Sequence, residues 1–170
     1  MTSTVNLDRL SLSSGQGKRL DVPIRPDALQ LGGQEYEPAP AHLDAQLDVS
    51  RTTGGHAFRL RFPLRLEGPC MRCLEEAGVD LEVEAREVDQ PAAGDEDLSS
   101  PYVREGELDV SRWARDAIIL ALPPQLLCRG DCAGLCAVCG ESLNDADPRV
   151  HEHTEAGDPR WAKLRELQGE

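Results

Sequence analysis

Apolar and polar residues alternate with a period of two through much of the first half of the chain, as in strands that bury one face. Leu43, Ala45, Leu47 and Val49 interleave with Asp44, Gln46 and Asp48, which predicts a half-buried strand ending at a Thr53-Gly54-Gly55 turn. Next, Phe58, Leu60, Phe62, Leu64 and Leu66 alternate with Arg59, Arg61, Pro63 and Arg65. Then Val79, Leu81, Val83 and Ala85 alternate with Asp80, Glu82, Glu84 and Arg86. Two such runs joined through residues 67–78 read as a β-hairpin. Placing Leu66 opposite Val79 sets Leu64 against Leu81, Phe62 against Val83 and Leu60 against Ala85 on one face. On the other face the same register sets Arg65 against Asp80 and Arg61 against Glu84. A slip of one residue would oppose apolar and charged side chains, so both faces specify one register. Pro63, which has no N–H, must face an edge or a bulge.

Before residue 40 the pattern is less regular. Leu7, Leu10 and Leu12, with Val22 and Ile24, fit two short strands broken by Ser13 to Gly17, and Gly32-Gly33 with Pro38 and Pro40 marks a loop. Residues 89–109 hold seven acids against Arg104 alone, with Pro91, Gly94 and Pro101. A mobile acidic linker is expected over about 89–106. The period then becomes helical. Val110, Trp113, Ala114, Ala117, Ile118 and Ala121 share one face, Asp109 stands at the N-cap position, and Pro123-Pro124 stops the helix. Ile119, Leu120 and Leu122 widen that face and predict a deeply packed helix, with Trp113 in the core. A short C-terminal helix is expected from Asp158 with a Trp161, Leu164, Leu167 stripe. The fold class expected is α+β. An antiparallel meander or hairpin sheet is packed by one long helix, followed by a zinc-ribbon-like cysteine segment and the short helix. Residues 1–122 form the β-rich domain and 123–170 the zinc-binding tail.

Composition changes the picture in two places. Only 4% of residues are aromatic against 39% hydrophobic overall, so the core is aliphatic and modest, and a metal cross-link would help it hold. The net charge of −13 argues against a free-standing nucleic-acid-binding domain, which carries a basic footprint, and fits basic partners instead. Five arginines against one acid between Arg51 and Cys73 resemble an RNA-binding stripe, but cross-strand carboxylates would neutralise most of it. No apolar run reaches the roughly 20 residues of a membrane span. The mixed polar start shows no signal-peptide core, so a cytoplasmic protein is expected.

The candidate chemistry lies in six cysteines. Cys70 and Cys73 form one C-x2-C pair; Cys128, Cys132, Cys136 and Cys139 follow within twelve residues. Thiolates converging on one zinc at about 2.3 Å need short loops between them, which C-x2-C supplies. A disulfide framework is the alternative suggested by the even count, but such scaffolds are short and cysteine-dense. A thioredoxin-like pair would need a βαβ unit that the pattern lacks. All six cysteines are therefore candidate Zn2+ ligands. For one ion, two quartets suit: Cys128, Cys132, Cys136 and Cys139, or Cys70 and Cys73 with Cys136 and Cys139. His151 and His153 would bring the candidates to eight, enough for two ions. An all-thiolate site leaves no position for water and is structural. Without H-E-x-x-H, P-loop, G-x-G-x-x-G or G-x-S-x-G, no enzyme and no small-molecule substrate are expected.

With these residues in place, the chain resembles the bacterial and plastid YceD family, the large ribosomal RNA subunit accumulation proteins. The resemblance rests on Cys70-Met71-Arg72-Cys73-Leu74-Glu75, on Asp116 to Pro123, on Leu127 to Asn144 with its four cysteines, and on Asp158 to Leu164. It covers the chain from Cys70 onward. Membership implies a cytoplasmic factor needed for synthesis, processing or stability of large-subunit ribosomal RNA. The partners expected are a basic ribosomal protein or a pre-ribosomal particle, with ribosomal RNA contacted weakly by the isolated chain. Two positions depart from the family: acids are common where Arg115-Asp116 stands, and Cys-x-Cys is common where His151-Glu152-His153 lies. The second departure supports the histidines as ligands. The alternative function is zinc handling or thiol redox sensing, in which the thiols would pass on metal or release it on oxidation.

Overall fold

The computed structural model describes residues 3–90 and 98–144. Its centre is β6 (His56–Pro69), the arginine-bearing run, which pairs along its whole length with β7 (Glu76–Asp89). The expected register is observed: Leu66 opposes Val79, Leu64 opposes Leu81, Phe62 opposes Val83 and Leu60 opposes Ala85. On its other side β6 meets two strands in succession. β5 (Leu43–Arg51) pairs with residues 56–61, and β4 (Gln34–Ala39) with residues 65–67. Pro63 falls in the gap between them, where a missing N–H costs no ladder bond. β2 (Gly17–Ile24) extends the sheet beyond β5, and β3 (Leu29–Leu31) extends it beyond β4.

Three expectations need correction. Gly32-Gly33, read as part of a loop, is the turn of the β3–β4 hairpin, with Leu29 opposite Tyr36. Pro38 lies within β4 opposite Leu66, where β3 no longer flanks the strand, so proline breaks no second ladder. Near the N-terminus, β1 is Thr4–Asn6, a 3-10 turn follows at Asp8–Leu10, and β2 starts at Gly17. The second half of the expected linker is ordered structure. β8 (Val103–Arg104) and β9 (Glu107–Asp109) join β1 in a three-stranded sheet. Gln90 N donates to Leu98 O at 2.7 Å, and the buried carboxylate of Asp89 accepts from Ser100 N at 3.1 Å. Residues 91–97 and the predicted C-terminal helix lie outside the described residues.

Among the described residues one α-helix, α1 (Val110–Ala121), covers the main sheet, and at twelve residues it is of ordinary length, not long. Asp109 caps it as expected, its side chain accepting from Arg112 N at 2.9 Å. Val110, Trp113, Ala114, Ala117 and Ile118 are buried with the inward rows of β2, β5, β6 and β7 in one aliphatic cluster. Trp113 stands edge-on to Phe58, with ring centroids 6.3 Å apart. Leu120, expected to widen the buried face, is 86% exposed: the buried stripe runs through Val110, Trp113, Ala114, Ala117 and Ile118, with Ala121 and Leu122 partly buried beside it. No helix among the described residues is long and apolar enough to cross a membrane.

Candidate metal centre

The β6–β7 hairpin closes through Cys70 to Glu75, and this connection folds as a tight knuckle. Cys70 N donates to Glu75 O at 2.7 Å and Leu74 N donates to Cys70 O at 3.0 Å. Leu74 adopts φ 63°, the left-handed conformation that lets the chain reverse beneath the thiols. Arg72 N points at Cys70 Sγ from 3.4 Å.

After α1, Pro123-Pro124 releases the chain and the next segment docks onto this knuckle. Met71 N donates to Leu126 O at 2.8 Å. The Arg72 guanidinium donates to Cys132 O at 3.0 Å and to Gln125 Oε1 at 2.9 Å, so one side chain ties both ends of the segment to the hairpin. Cys128 and Cys132 are thereby carried up to Cys70 and Cys73. The Sγ atoms of these four residues all lie within 4.8 Å of one another. Cys70 Sγ is 3.8 Å from Cys132 Sγ, and Cys73 Sγ is 3.5 Å from Cys128 Sγ. Four thiolates at about 2.3 Å from a central zinc stand roughly 3.8 Å apart, so the spacing fits a tetrahedral ion. Cys70, Cys73 and Cys132 are buried and Cys128 is half-buried; with Ala77 they form a second small core. The group is complete in ligands and mostly closed to solvent, the form of a structural site.

The electrostatics set one thiol of the group apart from two others. Burial opposes ionisation of Cys70, but backbone N–H donors at Cys73, Arg72 and Cys128 overcome it and bring that thiol down to about 6. Burial pushes Cys128 the other way, up to about 12, with the thiols of Cys73, Cys132 and Cys70 adding to the rise. Cys73 is also raised, first by burial. One thiolate is thus ready for a cation, and Cys73 and Cys128 must lose protons to it.

The quartet is neither of the two that the spacing suggested: it joins the pair in the β6–β7 connection to the first two cysteines of the segment after α1. Cys136 and Cys139 stand outside that group. Nor does the cysteine segment join Cys70 and Cys73 through Cys136 and Cys139 as a zinc ribbon would. His151 and His153 lie outside the described residues. Two things escaped the sequence reading. The x3 spacing of Cys128 and Cys132, too wide for a C-x2-C knuckle, was the available signal that they serve a knuckle elsewhere. Arg72 gave no signal, because nothing in a C-x2-C motif distinguishes a clamp from a solvated charge.

The arginine face of the sheet is paired, by partly different routes from those the register implied. Arg65 meets Asp80 at 3.0 Å as expected. Glu84, directly opposite Arg61, instead binds Arg59 at 2.8 Å, and Arg61 turns to Asp48 of β5 at 2.8 Å.

A family model described as "Large ribosomal RNA subunit accumulation protein YceD" matches residues 58–168, a span that includes most of β6, β7, α1 and all six cysteines. Among curated proteins, the chain is 34% identical over 134 residues to "Uncharacterized protein Rv2926c" of Mycobacterium tuberculosis, covering 76% of this chain and 63% of that protein. It is 31% identical over 134 residues to "Uncharacterized protein ML1660" of Mycobacterium leprae, covering 76% of this chain and 59% of that protein. The chain thus spans about 60% of the length of these relatives. No solved structure matches it.

Proposed function

The chain belongs to the YceD family, and from that membership we propose that it is a non-enzymatic, zinc-stabilised factor in ribosome biogenesis, acting in the cytoplasm. Its task on this reading is to support synthesis, processing or accumulation of large-subunit ribosomal RNA. The observation that carries the reading is the family match over residues 58–168, which runs through the whole thiol cluster. Zinc at Cys70, Cys73, Cys128 and Cys132 would fasten the segment after α1 to the end of the hairpin, giving the sheet and that segment one rigid surface. The buried, closed ligand set suits this structural task.

The net charge of −13 and the paired arginines favour a basic ribosomal protein or a pre-ribosomal particle as the partner, with bare RNA second. The deciding experiment is genetic and quantitative. Cells lacking the protein should show a reduced ratio of large- to small-subunit ribosomal RNA. The wild-type chain should restore the ratio and Cys70→Ser/Cys73→Ser should not. An unchanged ratio in the deletion strain would overturn the reading.

A further inference from the structure

Cys136 and Cys139 are surplus to the quartet, since a tetrahedral ion takes four ligands and Cys70, Cys73, Cys128 and Cys132 supply them. The local backbone at the two surplus thiols nevertheless repeats the Cys70–Glu75 knuckle bond for bond. Cys136 N donates to Glu141 O at 2.7 Å, as Cys70 N does to Glu75 O at 2.7 Å. Gly140 N donates to Cys136 O at 2.9 Å, as Leu74 N does to Cys70 O at 3.0 Å. Val138 N points at Cys136 Sγ from 3.5 Å, as Arg72 N points at Cys70 Sγ from 3.4 Å. Gly140 takes φ 76° where Leu74 takes φ 63°. The Leu135–Ser142 bridge and the Leu143 N to Gly134 O bond at 2.8 Å close the base of the turn.

This conformation is specific. It holds both cysteines in one tight turn and aims a backbone N–H at the first sulfur, as the knuckle of Cys70 and Cys73 does. Its tip faces solvent while its base does not: Val138 is 72% exposed and Cys139 is exposed, whereas Cys136 is buried. In the first knuckle both thiols, Cys70 and Cys73, are buried, and Leu126 of the docked segment bonds to it at Met71.

We infer that Cys136 and Cys139 hold a second metal ion of the zinc class, separate from the buried quartet, with nitrogen or oxygen donors in its remaining positions. Because one of its two thiols, Cys139, is exposed, this ion exchanges faster than the first. The inference rests on the quartet also being a metal site, and the test separates the two.

Metal-free full-length protein, reduced and under anaerobic conditions, is titrated with cobalt(II) and followed by its thiolate-to-metal and d–d absorbance. Two equivalents should bind, the tighter with an all-thiolate spectrum and the weaker with a smaller charge-transfer increment. Cys136→Ser/Cys139→Ser should bind one equivalent, keep the all-thiolate spectrum and keep the circular dichroism of the wild type. With zinc-loaded protein, release to a chromogenic chelator should have a fast and a slow phase, and the double variant should lack the fast one. The single variant Cys139→Ala, at an exposed position, should also lack it. Saturation of the wild type at one all-thiolate equivalent would overturn the second site and leave the first standing. Two equivalents in the double variant would also overturn it, and no bound metal at all would sink both sites.

Discussion

Cys70 is the thiol that an arriving cation finds already ionised, whereas Cys73 and Cys128 are pushed the other way. The N–H groups around it hold it near 6 although it is fully buried, while Cys128 is pushed up to about 12. A thiol held below its ordinary value of 9.0 stabilises the metal-free fold above the normal thiol range, and that contribution fades as pH falls through about 6. Thiolate absorbance of the metal-free chain should therefore show one step near pH 6 that Cys70→Ser removes; ionisation of every thiol only above the normal range would contradict it. Cys70→Ser should also weaken zinc by more than about 100-fold, beyond what loss of an outer-shell partner typically costs. At the other end of the sheet, Asp48 accepts from Arg19 at 2.6 Å and from Arg61 at 2.8 Å, and the Arg19 bond foremost holds its carboxyl below the usual range. Because that folded-state value is depressed, its stabilisation is present at neutral pH and lost as acid protonates the group. Asp48→Asn should cost about 1 kcal/mol in urea melts at pH 7, with the difference shrinking toward pH 3. A constant difference across that range would mean that packing, and not charge, is at stake. The candidate thiols were legible one by one from C-x2-C spacing, but their grouping was not. Which knuckle meets which pair depends on where Arg72 and Leu126 dock the segment, a long-range contact that no local spacing encodes.

At the level of elements, the β6–β7 hairpin was readable to the residue because its two faces carry independent signals that agree, apolar rows on one side and opposite charges on the other. The β3–β4 hairpin was missed because its strands are short, its turn is Gly32-Gly33 and β4 carries Pro38, all of which mark loops unless one knows which side of a strand is left unpaired. Helix α1 was readable in position and cap, but Leu120 shows that apolar content alone does not say how wide a buried face is. The junction between β4 and β6 has a further requirement. At Gly68, two residues before the first cysteine, an added Cβ would lie 2.4 Å from Tyr36 Cδ1 and 2.8 Å from Glu35 O. Tyr36 cannot swing away freely, being 1% exposed with its hydroxyl donating to Pro69 O at 2.7 Å. Gly68→Ala should destabilise by about 1–3 kcal/mol, as overpacking does. Zinc should still bind, because the knuckle's own hydrogen bonds begin at Cys70. Wild-type stability in a urea melt would show that the β4–β6 junction can give way.

At the scale of the whole molecule, charge decides what the surface can attract. The chain carries 31 acids against 18 bases, and the arginines that might have formed a cationic stripe on the sheet are engaged: Arg59 with Glu84, Arg61 with Asp48 and Arg65 with Asp80. Releasing them to phosphate would break these pairs and leave the carboxylates facing a polyanion, so the attraction of each phosphate is offset locally. Binding to ribosomal RNA fragments at physiological salt should thus be weak, with a shallow dependence on salt because few counterions are displaced. A basic ribosomal protein faces no such penalty, and its binding should be tighter and should weaken as salt screens the attraction. Paired titrations at matched ionic strength, one with RNA and one with basic ribosomal proteins, measure the difference directly. Arg59→Glu and Arg61→Glu supply the control. If the sheet face is electrostatically closed, neither should change the small RNA affinity by more than a few-fold. Tight RNA binding that these reversals abolish would relocate the functional surface to the hairpin, with the thiol cluster then serving to fix the end of an RNA-contacting strand.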